Sequence, residues 1–107
     1  MSNQKNVAVA KGVVKIEYDP AKNERNIRDR GLSFDRAAEF DFATAIVLED
    51  KRRDYGEARY RALGWMDNRL HALVFTMRAD RLRVISLRRA NRTERRLYAR
   101  TAKSGTD

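Results

Sequence analysis

The feature that most constrains the fold is a change in hydrophobic period near residue 44. Before it, apolar side chains recur at helical spacing in "SFDRAAEFDF", whereas after it they follow the pattern of strands. Asp67-Asn68 between two of these segments is a dipeptide typical of hairpin turns. The sequence therefore predicts four consecutive strands in a mostly antiparallel meander. The predicted strands are residues 44–50, 58–66, 70–77 and 82–87.

The residues before this meander predict a strand and two helices. In "GVVKIEYD" apolar and charged residues alternate, which indicates a first strand. Asp19 is a good N-cap, Pro20 suits the first helical position, and Gly31 ends the helix between them. Ser33 then caps a second short helix, which continues through "FDRAAEFDF".

A last helix follows the meander, because Asn91 and Glu94 have the spacing of a capping box. The complete order is β-α-α-β-β-β-β-α. This order predicts an α+β domain whose mostly antiparallel sheet carries the helices on one face. We expect a disordered leader at residues 1–11, a single domain at 12–100 and a flexible tail at 101–107.

Composition narrows the possible functions. The chain has no cysteine, which excludes disulfides, thiolate catalysis and cysteine-bound zinc. Its single histidine, His71, excludes a two-histidine acid–base pair and a multi-histidine metal site. No apolar run is long enough to cross a bilayer and no signal-peptide core is present, so we expect a cytoplasmic protein without membrane association. The acidic residues are scattered, so we expect no metal and no cofactor.

The positive charge is concentrated in the second half of the chain. Residues 1–50 carry eight Lys or Arg and nine Asp or Glu, whereas residues 51–107 carry sixteen and six, for a total net charge of +9. Eighteen of the 24 basic residues are arginine, whose planar fork suits phosphate and carboxylate. The expected partner is a polyanion, an acidic protein or both. The alternative is that the charge only aids solubility.

Three stretches resemble one known family when taken together. "IEYDPAKNERNIRDRGLSF", "EARYRALGW" and "RVISLRRANRTERRLY" occur in the order found in BrnT toxins of type II toxin–antitoxin systems, and the resemblance covers about residues 14–98. It implies a RelE-like fold and metal-independent cleavage of RNA. It also implies a BrnA-like ribbon-helix-helix antitoxin as partner, with operator DNA bound only through the antitoxin complex. This chain departs from the family at Arg30-Gly31, where relatives commonly have His before the Gly.

Metal-independent RNA cleavage requires groups that hold the scissile phosphate, stabilise its developing charge and move two protons. Arg88, which matches an arginine of the family's last motif, is predicted to grip the phosphate; the alternative is a salt bridge to Glu94. Arg59, in the middle motif, is predicted on a neighbouring strand as a second ligand, unless it forms a cross-strand ion pair. Arg78 would complete the clamp, unless it only decorates a turn.

Glu94 and Tyr98 lie four residues apart on the last helix and therefore share a face. In the functional interpretation Glu94 orients an arginine or acts as a base, and Tyr98 donates to phosphate or stacks on a nucleobase. In the structural one Glu94 completes the helix cap and Tyr98 is a core aromatic residue.

The remaining candidates are predicted to bind RNA or to form the core. His71 is predicted to be structural rather than catalytic, and Trp65 and Phe75 are predicted to be core residues. Lys22 and Asn26 match the first motif and share one polar face, while Arg92 and Arg96, with Arg100, form a basic stripe on the last helix. The predicted RNA-binding residues are Lys22, Asn26, Arg83, Arg89, Arg92 and Arg96.

These observations predict an RNA endonuclease toxin that leaves a 2′,3′-cyclic phosphate and blocks translation and growth. Two alternatives stay open on the sequence. The first is a basic module that binds nucleic acid without cleaving it, and the second is a corepressor subunit whose arginines meet an acidic partner.

Overall fold

The computed structural model describes residues 15–104 and contains an α+β domain. The predicted leader at residues 1–11 lies outside the described residues, and the last helix extends past residue 100, where the domain was predicted to end. No helix in the described part of the chain has the length and apolar character needed to cross a membrane. The elements are β1 (Lys15–Tyr18), α1 (Pro20–Arg30), a 3₁₀ helix (Phe34–Glu39), β2 (Ile46–Glu49), β3 (Tyr60–Met66), β4 (Arg69–Arg78), β5 (Arg81–Arg89) and α2 (Arg92–Ser104).

The five strands form one sheet in the order β1-β5-β4-β3-β2. Strand β1 is parallel to β5, and the other three pairings are antiparallel. Asp67 and Asn68 join β3 to β4 with φ angles of 56° and 60°, the left-handed geometry that a two-residue hairpin turn requires. The predicted meander and its hairpin are therefore confirmed.

Both predicted ends of α1 are confirmed. The backbone N–H of Ala21 donates to Asp19 Oδ1 at 3.0 Å, and Pro20 occupies the first turn, where no N–H is needed. At the other end Gly31 adopts a φ of 70°, and its N–H donates to the Ile27 carbonyl at 2.8 Å. The caps fix the point at which the chain leaves α1, and this point lies beside the candidate site.

The second predicted helix is a 3₁₀ helix instead of an α-helix, and it ends at Glu39, well before residue 42. Its buried side chains are Phe34, Ala37 and, just after the helix, Phe40. Side chains three residues apart line up when there are three residues per turn, so a 3₁₀ helix places all three against the sheet. The prediction of an α-helix was wrong because this spacing also fits 3₁₀ geometry.

The core lies between these aromatic residues and one face of the sheet. Alternating side chains of the three central strands supply that face, and most of them are almost completely buried. Phe75, predicted to be a core residue, is 1% exposed. The buried strand residues of the core are Ala62, Met66, Leu73, Phe75, Leu82, Val84 and Leu87.

Helix α2 packs on the opposite face, so the prediction that all helices share one face was wrong. Arg88 is paired in register with Ala72, and both alternate with the core residues Leu73 and Leu87. Glu94 on α2 bonds to the Arg88 side chain, which places the helix on that second face. The physical reason is that the second face also carries apolar side chains that need cover. A cavity between this second face and α2 is lined in part by Ile46, Leu63, Val74 and Leu97.

Candidate functional site

A cavity of about 550 Å³ opens at the end of the sheet where β4 begins and β5 ends. Five arginines and one carboxylate contribute to its wall, so its lining is strongly basic. Guanidinium groups bind phosphate oxygens through charge-assisted hydrogen bonds, and this cavity therefore suits an anionic ligand. We call it the arginine pocket; it is lined by Arg30, Gly31, Leu32, Arg36, Asp67, Arg69, His71, Arg88 and Arg89.

A β-bulge in β5 decides which side chains reach this pocket. The register pairs Phe75 with Val84 but Val74 with Ser86, so Ile85 is an extra residue in β5. Beyond the bulge His71 lies opposite Arg89. Without the bulge His71 would lie opposite Arg88 instead. Arg88 and Arg89 would then exchange faces of the sheet.

Arg88 and Glu94 form a two-pronged ion pair. Arg88 Nη1 donates to Glu94 Oε1 and Nη2 donates to Oε2, each at 2.8 Å, and Nη1 also donates to the Arg89 carbonyl at 3.2 Å. The salt bridge considered for Arg88 as an alternative is therefore present. The hydrogen bonds to Glu94 and to the Arg89 carbonyl use three of the five N–H donors of Arg88. With Glu94, Arg88 also lines the cavity under α2.

Glu94 also forms the predicted cap of α2. Its Oε1 accepts from the Asn91 N–H at 2.9 Å, while its own N–H donates to Asn91 Oδ1 at 2.8 Å. Hydrogen bonding from Arg88 lowers the pKa of Glu94, and partial burial opposes this shift only in part. The pair in turn raises the pKa of Arg88. A carboxylate held in this way orients Arg88 and is a weak base.

Asn26 does not face solvent as an RNA ligand would, because it is buried and all its side-chain groups are used. Its Nδ2 donates to the carbonyls of Leu32 and Leu87, each at 2.9 Å, and these bonds fasten α1 to the edge of β5. Its Oδ1 accepts from Arg30 Nη1 at 3.1 Å. Asn26 therefore positions Arg30, the residue at which the chain departs from its family, at the wall of the arginine pocket.

His71 lies in the wall of the arginine pocket, although sequence reasoning placed it outside any site. Its Nδ1 is 2.8 Å from the Arg69 carbonyl oxygen, and the residue is 3% exposed. The position of His71 could have been inferred from the strand register. The hairpin at Asp67-Asn68 places His71 near the start of β4, beside the end of β5.

Two predicted ligands, Arg83 and Arg78, lie toward the other end of the sheet. Arg83 is opposite Thr76, four residues along β4 from the partner of Arg88, a separation of about 13 Å at the usual rise of a strand. Arg83 pairs with Glu17 at 3.2 Å, and Arg78 pairs with Glu57 at 3.3 Å in the same region. The structure does not bring these side chains together with Arg88.

Arg59 precedes β3 and is not on the strand where it was predicted. Its guanidinium carbon lies 4.1 Å from the centre of the Tyr55 ring, a cation–π contact. Its Nε is buried without a hydrogen-bond partner. The predicted clamp of Arg59, Arg78 and Arg88 is therefore not assembled.

A second basic cavity, of about 270 Å³, adjoins the arginine pocket and shares Arg30 with it. Helix α1 contributes Lys22, Arg25, Asn26 and Asp29 to its wall, and β5 contributes Ser86. The predicted RNA ligand Lys22 therefore lies on a basic surface that continues into the arginine pocket.

A third cavity, of about 420 Å³, shares Arg69 and Arg89 with the arginine pocket. Trp65 in its wall is 43% exposed, so its prediction as a core residue was wrong: it lies on the second sheet face, which α2 covers incompletely. Tyr98 OH accepts from Trp65 Nε1 at 3.1 Å and donates to the Thr44 carbonyl at 2.8 Å. The Tyr98 hydroxyl is therefore already engaged both as a hydrogen-bond donor and as an acceptor.

The basic stripe on α2 is exposed. Arg92, Arg96 and Arg100 all face solvent. Arg95 is exposed as well, but its Nη1 donates to the Ala90 carbonyl at 3.0 Å. These exposed side chains lie on the helix that follows the pocket residue Arg89, so they can add electrostatic attraction near it. Within residues 15–104, no three His, Asp or Glu side chains come together as metal ligands would.

An α+β domain with an arginine-lined pocket at the end of its sheet has the chemistry of a protein that binds a phosphate-rich ligand. The sequence of the chain also matches a known family. Residues 18–94 match the family described as "Ribonuclease toxin, BrnT, of type II toxin-antitoxin system", and the chain belongs to this family. No curated protein and no solved structure matches the chain, so the RelE-like fold implied by the resemblance stays a prediction.

Membership of this family confirms the resemblance and part of what it implied. The family is one of ribonuclease toxins, and a type II toxin–antitoxin system pairs such a toxin with an antitoxin. RNA as substrate and an antitoxin as partner therefore follow from the family.

Proposed function

We propose that this protein cleaves RNA at the arginine pocket without a metal ion and leaves a 2′,3′-cyclic phosphate. The observation that carries this proposal is the convergence of five arginines on one cavity in a chain of a ribonuclease toxin family. Arg88 lines this pocket and Glu94 holds it in a fixed orientation, which supports a role as ligand of the scissile phosphate.

The reaction would use the ribose itself as nucleophile. The 2′-OH loses its proton and attacks phosphorus, a P–O2′ bond forms, and the P–O5′ bond breaks as the 5′-oxygen takes up a proton. Negative charge grows on the phosphate oxygens in the transition state, where guanidiniums stabilise it without exchanging protons.

The biological setting belongs to the same proposal. RNA cleavage in the cytoplasm would block translation and arrest growth until a ribbon-helix-helix antitoxin of the BrnA type binds the toxin. Operator DNA would then be bound through the antitoxin in the complex. The concentration of positive charge in residues 51–107 supports binding of an acidic antitoxin segment near the pocket.

The test is to incubate the purified protein with total RNA in EDTA and to identify the fragment ends. Arg88→Ala is the test variant and Arg78→Ala is its matched control, because both arginines pair with a glutamate but lie at opposite ends of the sheet. We expect cyclic phosphate ends from the wild type and from Arg78→Ala, and intact RNA with Arg88→Ala.

Other outcomes lead to different conclusions. RNA that stays intact with the wild type but binds in a salt-dependent way would replace the proposal with a non-catalytic binding module. Cleavage lost in Arg78→Ala and kept in Arg88→Ala would move the site to the other end of the sheet.

A further inference from the structure

We propose that His71 is the general base of the arginine pocket and removes the proton from the attacking 2′-OH. This inference rests on the proposed function, since it assigns a proton acceptor to that reaction. It also reverses the prediction from the sequence, in which His71 had only a structural role.

The hydrogen bond at Nδ1 fixes the form of the imidazole. The Arg69 carbonyl oxygen, 2.8 Å away, can only accept, so Nδ1 must carry the hydrogen. In the neutral ring the lone pair is therefore on Nε2. A backbone carbonyl that holds one ring nitrogen and leaves the other basic is the arrangement that a histidine base requires.

Nε2 forms no hydrogen bond with the residues that the structure describes, 15–104. His71 lines the arginine pocket, although the residue as a whole is 3% exposed. None of the described residues therefore engages the lone pair of Nε2.

The residues that line the pocket offer only two proton acceptors, and His71 is one of them. The charged groups around His71 are Arg30 from α1, Arg36 from the 3₁₀ helix, Asp67 from the hairpin turn, Arg69 from β4, and Arg88 and Arg89 from β5. Guanidiniums do not release or take up protons near neutral pH, which leaves Asp67 and His71 as acceptors. The Asp67 carboxylate is 3.8 Å from Arg36 Nη2, and its side chain is 77% exposed.

The proton balance of the step is complete without further reactants. His71 Nε2 takes the 2′-OH proton as the P–O2′ bond forms, and the 5′-oxygen leaves with a proton from water. The imidazolium then returns its proton to solvent, which regenerates the neutral ring for the next cycle.

The decisive experiment compares the wild type with His71→Asn in single-turnover cleavage of an RNA oligonucleotide across a range of pH. The Asn amide can still donate to the Arg69 carbonyl, so this variant keeps the structural hydrogen bond and removes the base. Asp67→Asn is the matched control for the other acceptor. Circular dichroism reports folding, and affinity for a 2′-O-methyl RNA, which lacks the nucleophile, reports binding.

We expect His71→Asn to fold, to bind the methylated RNA like the wild type, and to cleave about 100-fold more slowly or worse. The limb of the pH profile that reports the base should disappear in His71→Asn and persist in Asp67→Asn. Cleavage by His71→Asn within about threefold of the wild type, with the same pH profile, would overturn the proposal. Loss of that limb in Asp67→Asn instead would assign the base to Asp67.

A substrate with sulfur in place of the 5′-oxygen separates the two proton transfers. A thiolate leaves without protonation, so the defect of His71→Asn should persist on this RNA if the residue is the base. Restoration of the rate on this substrate would show that His71 is the acid and would overturn the assignment. If the wild type cleaves no RNA at all, the proposed function fails first, which the wild-type control reveals.

A measurement on the unaltered protein covers the case in which the variant does not fold. The chain has one histidine, so the imidazole signals in NMR spectra belong to His71 without ambiguity. We expect adenosine 3′-monophosphate to shift these signals. Ring signals that stay unchanged while the nucleotide is bound would overturn the proposal.

Discussion

Arg88 and Glu94 face each other through two parallel hydrogen bonds of 2.8 Å, one from each terminal nitrogen of the guanidinium. The same carboxylate accepts from the backbone of Asn91 at the start of α2. One glutamate therefore ties the end of β5 to the cap of the last helix. Because Arg88 lines the arginine pocket, its position there depends on how α2 is anchored.

Glu94→Gln should reduce stability in a pH-dependent way. The pKa of Glu94 is lowered from its ordinary 4.5 in the folded protein, so its ionised form stabilises the fold above pH 4.5. This contribution is lost as the pH falls below 4.5 toward the pKa of the folded state. We expect the free energy of unfolding to decrease by about 1 kcal/mol at neutral pH, with the difference from the wild type shrinking in acid.

Urea unfolding at several pH values measures this difference. Asn91→Ala is the control, because it removes the hydrogen bond to the Glu94 N–H but leaves the carboxylate paired with Arg88. It should cost about 1 kcal/mol at every pH. A difference between the wild type and Glu94→Gln that is equally large at pH 7 and at about pH 3.5 would contradict the ion-pair argument.

Local signals in the sequence predicted much of the fold. The caps at Asp19 and Gly31 and the hairpin at Asp67-Asn68 depend on residues close together in the chain, and all are confirmed. The side of the sheet on which α2 packs depends instead on which strand residues alternate inward and on the apolar character of both faces. The prediction about helix placement failed at that point.

The candidate site was harder to predict because it depends on register. Ile85 is the extra residue of the bulge, and nothing in "RVISLRR" marks it as such. The bulge decides whether Arg88 or Arg89 lies opposite His71, and thus which of the two arginines shares a face of the sheet with it. Arg59 was placed on the strand because the predicted start was residue 58, whereas β3 begins two residues later, at Tyr60.

Gly64→Ala should destabilise the protein through a clash with one aromatic ring. A Cβ at this position would lie 2.6 Å from Phe40 Cζ and 2.7 Å from Cε2, and Phe40 is 5% exposed. A buried ring can move only by displacing its neighbours, so we expect a loss of about 1–3 kcal/mol in the free energy of unfolding. Thermal or urea unfolding measures it.

The double variant Gly64→Ala/Phe40→Leu isolates the cause of that loss. A leucine at position 40 lacks the ring atoms that the new Cβ would meet, so the cost of Gly64→Ala should be smaller in the Phe40→Leu background. Strictly additive costs would show that the strain arises elsewhere.

Tyr98→Phe should lower stability and leave cleavage nearly intact. Its hydroxyl links Trp65 Nε1 to the Thr44 carbonyl, so removing it breaks two hydrogen bonds and should cost about 1 kcal/mol or somewhat more. The chain has one tryptophan, so its fluorescence reports the change directly. We expect a cleavage rate within about threefold of the wild type, because a hydroxyl engaged in this way has no proton free for phosphate.

A loss of activity much larger than the loss of stability would contradict this argument. It would restore the role that the sequence predicted for Tyr98 as a donor to the substrate. Measuring both quantities on the same preparation of folded Tyr98→Phe protein separates the two explanations.

Arg89→Ala should weaken RNA binding and make the affinity less dependent on salt concentration. Arg89 lines both the arginine pocket and the neighbouring cavity beside Trp65, so a phosphate bound there would lose one cationic contact. For a single strand, each such contact contributes about 0.7 to the slope of log K against log salt concentration, and the slope should fall by about that amount.

Arg81→Ala is the matched control, because Arg81 is also at one end of β5 but lies opposite Arg78, far from the pocket. Titrations of a 2′-O-methyl RNA at several salt concentrations measure both slopes. Equal decreases in the two variants would mean that the RNA responds to the overall positive charge of the protein, and that the arginine pocket is not where its phosphates bind.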